Sequence, residues 1–165
     1  MKEKKTLSVM FVILIASVLL AMSMPVANAT TSIQISGSII INTGVISPNP
    51  AGESDNSVLH ISSTGMWTGG IMGSNTGEAR WVGHNVLTPE SWRNTHNVVT
   101  FSSATVMGKT GGLSIMTIGK TDGGKWVILG GTDELEGLHG QGTYLQTGAM
   151  FGKVSDYEGE IHFDP

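Results

Sequence analysis

The 165-residue sequence contains no cysteine, and only 13% of its residues are charged and 6% aromatic. The absence of cysteine excludes disulfides and thiolate metal sites, so the fold must depend on noncovalent packing. Basic residues are also few. Three of the nine Lys and Arg and one of the thirteen Asp and Glu lie in the first 29 residues, which leaves six basic and twelve acidic residues downstream. This acidic balance argues against a nucleic-acid partner.

Glycine, in contrast, is abundant, and all 23 glycines lie between Thr30 and Pro165. Glycine destabilises helix interiors, and no window of the sequence has a long helical period of apolar residues. These two observations exclude a helix bundle. They predict one β-rich domain that is large enough to bury a core of its own.

The N-terminus has the three parts of a secretory signal peptide. Met1–Lys5 is basic, Val9–Leu20 is almost entirely apolar, and Ala27–Ala29 offers the small residues that a signal peptidase accepts. We therefore predict a signal peptide over 1–29, a folded domain over 30–165, and a secreted or extracytoplasmic protein of the periplasm or cell envelope. No stable membrane anchor is expected after cleavage; an uncleaved anchor, using the apolar stretch from Leu7, is the alternative.

Alternating apolar and polar residues predict strands along the whole domain. The pattern is clearest at Ser32–Ile41 and at Tyr157–Phe163, where every second residue is apolar or glycine. Turn residues separate the other candidate strands. These are Val58–Ser63, Met66–Met72, Glu78–Val86, Asn97–Met107, Leu113–Ile118, Lys125–Leu129 and Gly140–Gln146.

One hairpin and two loops are predicted from turn chemistry. Lys120–Lys125 contains Asp-Gly, which favours a tight reversal, so Leu113–Ile118 should pair with Lys125–Leu129. The proline-containing segments Thr43–Asn56 and Thr88–Trp92 are predicted to be loops.

Eight or nine short strands in one domain must protect their edges, and closure into an antiparallel β-barrel does so most completely. A β-sandwich is the alternative. Both strands of the predicted hairpin carry apolar residues on both faces, such as Ile115 beside Met116 and Trp126 beside Val127. One face would fill the barrel and the other would need a cover, so we also predict a homo-oligomer.

The C-terminal part of the sequence carries a family resemblance. Gly131–Leu135, Leu138, Gly140–Thr143 and Tyr157–Gly159 resemble the signature of an uncharacterised prokaryotic domain-of-unknown-function family, grouped by fold with the allene oxide cyclase barrels. Met107–Leu113 is similar to the family's turn between two strands. The resemblance implies an all-β, eight-stranded antiparallel barrel of allene oxide cyclase or lipocalin type with a central cavity. It implies no established activity.

No allene oxide cyclase active-site motif is matched, so no catalytic residue is assigned. Within the family signature, Asp133 stands where the family usually has glycine. Gly108-Lys109-Thr110 precedes a strand, whereas a phosphate-binding loop precedes a helix. The histidines lack the short spacings of zinc sites, and Glu134 and Glu136 suit a solvated turn better than acid–base chemistry or calcium. No metal or cofactor is predicted.

Tryptophans and polar residues around the second predicted loop give the candidate ligand site. In a barrel, tryptophans either fill the core or line the mouth of a pocket. Histidines and carboxamides there could position the polar head of an apolar or amphipathic small molecule. The predicted ligand-binding residues are Trp67, Trp81, His84, Asn85, Trp92, Arg93 and His96.

Three functions remain open at this stage. The first is an exported barrel that binds a small apolar or amphipathic molecule. The second is an isomerase or cyclase of allene oxide cyclase type, with a polar group such as His84, Asn85 or Glu78 deep in the barrel. The third is a structural or interaction protein of the cell envelope. A cavity would favour the first two over the third.

Overall fold

Eight antiparallel strands form a closed β-barrel in which each strand pairs with its sequence neighbours and β8 pairs with β1. The computed structural model describes residues 30–50, 56–84, 92–148 and 152–165. The predicted signal peptide lies outside the described residues. The strands are β1 (Ile33–Pro50), β2 (Asn56–Gly69), β3 (Ile71–His84), β4 (Trp92–Val106), β5 (Lys109–Lys120), β6 (Gly123–Gly131), β7 (Leu138–Gln146) and β8 (Gly152–Phe163).

The predicted β-barrel is thus confirmed in preference to the sandwich, and a single 3₁₀ turn, Asp133–Leu135, is the only helical element in the described part of the chain. The predicted hairpin is confirmed as β5 and β6, with Met116 opposite Val127. Its reversal places positive φ at Gly123 but not at Asp122. No helix in the described residues is long and apolar enough to cross a membrane.

The predicted loop is wrong over Thr43–Pro50, which belong to β1, and at Asn56, where β2 begins. Residues 51–55 of this prediction lie outside the described residues. Among the described residues, β8 pairs with β1 only as far as Ile41, whereas β2 pairs with β1 as far as Pro50, so the prolines lie where the described ladder is on one side of β1. Proline lacks the N–H group of a ladder and is accepted on such an edge. In the second predicted loop, Trp92 already belongs to β4, and residues 88–91 lie outside the described residues.

The predicted strand Met66–Met72 is also wrong, since it spans the end of β2, a turn and the start of β3. Gly69 has a φ of 96°, which reverses the chain there. The gap predicted between Ser63 and Met66 does not exist, because Gly65 pairs with Asn75 within the ladder. The predicted strand Val58–Ser63 and the first part of Met66–Met72 therefore belong to one strand, β2.

One end of the barrel, here called the packed end, is filled by side chains. It contains the β2–β3 and β4–β5 turns and the β6–β7 connection. Trp67 lies 4.7 Å from Tyr157 and 6.0 Å from Phe101 between ring centroids, and Trp126 meets Tyr157 edge to face at 6.1 Å. The core also contains Ile71, Val99, Ala104, Val106, Leu113, Ile115, Ile128, Leu135, Leu138 and Ile161.

Hydrogen bonds of two side chains, Tyr157 and Trp126, fix polar groups within this core. The Tyr157 hydroxyl accepts the Ile71 N–H at 2.8 Å and can donate to the Thr68 carbonyl at 3.1 Å or the Ile71 carbonyl at 3.2 Å. The Trp126 Nε1–H donates to the Glu158 carbonyl at 3.0 Å. Burial raises the pKa of Tyr157 above its ordinary value of 10.0, while the hydrogen bond with Ile71 acts in the opposite direction.

Candidate functional site

A cavity of about 110 Å³ lies inside the opposite end of the barrel, here called the cavity end. This end contains the β5–β6 turn at Thr121 and Asp122 and the β1–β2, β3–β4 and β7–β8 connections. Trp67 separates the cavity from the packed end, since it lines the former and packs in the latter. The cavity is lined by Ile39, Ile40, Ile41, Ser63, Trp67, Asn75, Gly77, Trp81, Thr95, Asn97, Val99, Thr117, Lys120, Tyr144, Gln146, Val154 and Ser155.

The lining follows from strand alternation. On β4, Asn97 shares the inner face with the buried Val99 and Phe101, and on β5, Thr117 shares it with the buried Ile115. Successive side chains of a strand point to opposite faces. A polar residue two positions from a buried residue therefore points into the barrel as well. Toward the cavity end, the inward positions of β4 and β5 thus change from apolar to polar residues.

Gly77 provides room for the cavity. A Cβ at this position would lie 2.9 Å from Ser63 Oγ and 3.3 Å from Asn97 Oδ1. Both contacts are closer than ordinary van der Waals separation, so any larger residue would press on the polar groups of the lining. The missing side chain at Gly77 therefore leaves room beside the side chains of Ser63 and Asn97.

Two carboxamide atoms in the lining are buried without a hydrogen-bond partner. They are Nδ2 of Asn75, a donor, and Oδ1 of Asn97, an acceptor. Most buried polar atoms in folded proteins are paired, because an unpaired one loses its hydration without compensation. Nearby, the hydroxyls of Thr95 and Tyr144 lie 3.4 Å apart, a long hydrogen bond. The cavity therefore combines an apolar wall with neutral hydrogen-bonding groups.

Among the described lining residues, Lys120 is the one Lys or Arg. It is exposed and stands at the end of β5, at the rim of the cavity. The described lining includes no Asp, Glu or His. Such a site can bind and orient a molecule by apolar contact and hydrogen bonding, whereas an acid–base pair is not part of the described lining.

Two of the predicted ligand-binding residues, Trp67 and Trp81, line the cavity. His96 lies on β4 with an exposed side chain, opposite Arg80 and Ile118 on the outer face. It is not among the lining residues because its position is in the outward phase of the strand.

Three other predicted residues, His84, Trp92 and Arg93, lie at the cavity end of β3 and β4. His84 pairs with Trp92, and Gly83 with Arg93, in the ladder between these strands. The backbone therefore brings His84, Trp92 and Arg93 to one end of one hairpin. Their side chains and the whole of Asn85 lie outside the described residues.

The remaining polar candidates lie outside the cavity. Glu78 is exposed and accepts a hydrogen bond from the Ser62 hydroxyl at 2.9 Å. At the packed end, Glu134 Oε2 accepts the Thr110 N–H at 2.8 Å and so joins the β6–β7 connection to β5. His139 stacks on His162 at 5.4 Å and lies 3.1 Å from Asp164. Among the described residues, no group of three or more His, Asp and Glu could hold a metal ion.

The polar half of the lining was missed by the sequence analysis. Asn75, Asn97, Thr117 and Tyr144 are lining residues that no local motif distinguishes. The available signal was the phase of the strands: Asn97 lies two residues before Val99 and four before Phe101, both buried. A polar residue in the inward phase of an otherwise apolar strand indicates a cavity or a buried polar contact.

These features define a class of fold: a closed eight-stranded antiparallel barrel, packed at one end and hollow at the other. A solved structure with this fold is a protein of unknown function of the DUF3224 family from Shewanella oneidensis MR-1, with a TM-score of 0.60 and 17% identity over 82% of this chain and 99% of that chain. The pterocarpan synthase dirigent protein is less similar, with a TM-score of 0.39 and 16% identity over 81% of this chain and 90% of that chain. No family model and no curated protein matches the sequence.

The Shewanella structure confirms the predicted likeness to a prokaryotic barrel of a domain-of-unknown-function family. At this level of identity, the likeness concerns the fold. The turn that the resemblance placed near Gly108 is found between β4 and β5. Asp133, at the family's usual glycine position, has a φ of 57°, the left-handed conformation that glycine adopts without strain.

Proposed function

We propose that this protein is an exported barrel that binds a small apolar or amphipathic molecule in the cavity end. The observation that carries the proposal is the contrast between a solid packed end and a cavity of about 110 Å³ beneath Trp81 and Lys120. For comparison, an engineered apolar cavity of about 150 Å³ holds benzene. The cavity therefore suits a ring-sized group, with the remainder of a longer ligand extending toward the rim.

Binding is favoured over catalysis by the chemistry of the lining. The described residues supply tryptophan and aliphatic surface, neutral amides and hydroxyls, and one cation at the rim. Apolar walls with a few convergent polar groups are typical of ligand sites. An isomerase of allene oxide cyclase type would need further reactive groups from the residues of the cavity end that are not described.

The proposal is tested by titrating the purified protein with toluene and following the indole NMR signals of Trp67 and Trp81. Saturable shifts of both signals are expected. Gly77→Ala should weaken toluene binding about tenfold or more, because the added methyl group narrows the cavity beside Asn97. Gly130→Ala is the matched control, since a Cβ at Gly130 meets nothing within 4 Å.

Export is the second part of the proposal and rests on the sequence of residues 1–29. We expect the mature protein to begin at Thr30 and to be recovered from the envelope or the medium. N-terminal sequencing of the protein from its own cells is the measurement. A chain that still begins at Met1 and fractionates with membranes would instead support the uncleaved anchor.

An interaction protein is the second candidate function, favoured by the outer face of β4, β5 and β6. Val98, Met116 and Val127 lie side by side there, and Ile118 is 49% exposed beside them. A cover for this face would be a partner or a second copy of the chain. Light scattering tests the homo-oligomer: a monomer mass at high protein concentration would contradict self-association.

A further inference from the structure

Two hydroxyl groups that meet toward the mouth of the cavity indicate the chemistry of the ligand, and this inference rests on the proposed binding function. Thr95 and Tyr144 both line the cavity, and their hydroxyl oxygens lie 3.4 Å apart. We propose that these two hydroxyls bind one oxygen atom of the ligand, so that the ligand is a small molecule with a hydroxyl or carbonyl group. Its apolar part would occupy the cavity beside Trp81.

Strand register brings the two hydroxyls to the same level of the barrel. Thr95 on β4 pairs with Gly119 on β5. Gly124 on β6 pairs with Gly119 on one side and with Tyr144 of β7 on the other. The two positions between Thr95 and Tyr144 therefore have no side chain. Tyr144 uses this space, since a Cβ at Gly119 would overlap its hydroxyl oxygen. The tyrosine thus reaches across two strands to Thr95.

Both side chains are open to the inside of the barrel. Thr95 lies four residues from the buried Val99 on β4, and Tyr144 lies six residues from the buried Leu138 on β7. Even spacing places both residues in the inward phase of their strands. Each is partly exposed, and each lines the cavity. Because they point inward, their exposed surface faces the cavity, where a ligand can contact them.

The distance between the two hydroxyls favours a third oxygen atom. O–H···O hydrogen bonds are usually about 2.7–2.8 Å long, so the contact of 3.4 Å between Thr95 and Tyr144 is weak. Two oxygens at this separation can both lie about 2.8 Å from a third oxygen. Each protein hydroxyl can donate as well as accept, so a ligand oxygen can bond to both. A ligand with only apolar atoms gains neither hydrogen bond.

The experiment compares phenol with toluene, two ring molecules of similar size that differ by a hydroxyl and a methyl group. Binding to the full protein is measured by the NMR shifts of the Trp67 and Trp81 indoles, since both tryptophans line the cavity. A purely apolar cavity would favour toluene, because burying a hydroxyl without a partner costs free energy. We expect the reverse order, with phenol bound about fivefold or more tightly, because it gains two hydrogen bonds.

Tyr144→Phe and Thr95→Val each remove one hydroxyl and keep the shape of the side chain. Each variant should lose the preference for phenol, while toluene should bind at least as well as it does to the wild type. Retained toluene binding also shows that the variant still forms the cavity. Thr143→Val is the matched control, because Thr143 is the exposed neighbour of Tyr144 on β7. This control should keep the wild-type preference.

The outcomes separate this inference from the function beneath it. If toluene binds to the wild type as tightly as phenol or more tightly, the oxygen-bearing ligand is refuted and the apolar cavity site stands. A preference for phenol that survives in either Tyr144→Phe or Thr95→Val also refutes the site formed by two hydroxyls. If neither probe binds, the proposed function itself fails, and this inference fails with it.

Discussion

The two ends of the barrel use the same strands and inward alternation, yet one end is filled by side chains and the other holds a cavity next to a small apolar cluster around Leu59 and Ile61. At the packed end, inward residues are large and apolar and meet across the barrel, as Trp67, Phe101 and Tyr157 do. At the cavity end, the inward residues of the same strands include Asn97 and Thr117. The comparison shows that a barrel of fixed strand number can divide into a half filled by side chains and a half that contains a cavity.

Gly142 and Gly77 lack a side chain for different reasons. At Gly142, in the packed half, an added Cβ would overlap the Glu158 carbonyl oxygen and lie 2.6 Å from the Trp126 ring. The obstruction there includes backbone, which cannot move aside without breaking the ladder. At Gly77, the nearest atoms belong to the side chains of Ser63 and Asn97. Gly142 permits close packing of the ladder against Trp126, whereas Gly77 leaves space in the cavity.

The largest expected effect on stability comes from replacing one tryptophan at each end of the barrel with alanine. Trp126→Ala should lower the free energy of unfolding by about 3–5 kcal/mol, since the ring is 1% exposed and its Nε1–H is hydrogen bonded. Trp81→Ala should cost clearly less stability, because Trp81 is only half-buried, and should weaken toluene binding. Urea unfolding and toluene titration of both variants provide the measurements. Equal losses of stability would remove the distinction between the ends.

A smaller effect is expected at the Tyr157 hydroxyl. Tyr157→Phe should destabilise the barrel by about 1–3 kcal/mol, because the buried Ile71 N–H loses its acceptor. Toluene binding should be unchanged, since Tyr157 is not among the lining residues. Urea unfolding near neutral pH, with toluene titration as the second readout, tests both statements.

The same variant also tests a pH dependence. Because burial raises the pKa of Tyr157 above 10.0, the unfolded chain releases this proton before the folded chain does. The contribution of Tyr157 to stability is therefore complete below about pH 10 and declines as the pH rises through the folded pKa. The free energy of unfolding should fall less steeply above about pH 10 in Tyr157→Phe than in the wild type. Parallel curves would show that Tyr157 does not titrate differently in the two states.

The smallest effect is expected at the packed-end turn Met107–Gly108. Both residues have positive φ, 54° and 78°, a conformation that favours Asn-Gly over Met-Gly. Met107→Asn should raise the free energy of unfolding by about 0.5–1 kcal/mol, since asparagine tolerates the left-handed region better. Met107→Ala, which keeps the unfavourable conformation, is the control. A gain in Met107→Ala equal to that in Met107→Asn would show that backbone strain is not the cause.

The sequence was informative where one residue type determines local structure. Alternation and Asp122-Gly123 were sufficient for the β5–β6 hairpin, and the need to protect strand edges was sufficient for the barrel. The loop predicted from turn chemistry was wrong at Pro48. Proline is excluded only from a strand with ladders on both sides, and among the described residues β8 pairs with β1 no further than Ile41. Whether a proline stands on an edge depends on another strand, so local sequence could not reveal it.

The candidate site was predictable only in part for a similar reason. The tryptophans Trp67 and Trp81 were identifiable by size, and both line the cavity. Asn75 and Asn97 were not identified, because their importance depends on which strand face is inward. A bulge between Met72 and Thr76 changes the register of β3 against β4 next to Asn75. No residue pattern in the sequence predicts this change.

The order of the strands also has a consequence for how the chain closes into a ring. Seven of the eight strand pairings join neighbours in the sequence, and the eighth joins β1 to β8, with Ile33 opposite Ile161 and Ser38 hydrogen bonded to Asp156. The loop-closure entropy of the barrel is therefore concentrated in this one seam. No disulfide can reinforce it, because the chain has no cysteine. The integrity of the ring rests on the backbone ladder and side-chain packing that connect its first strand to its last.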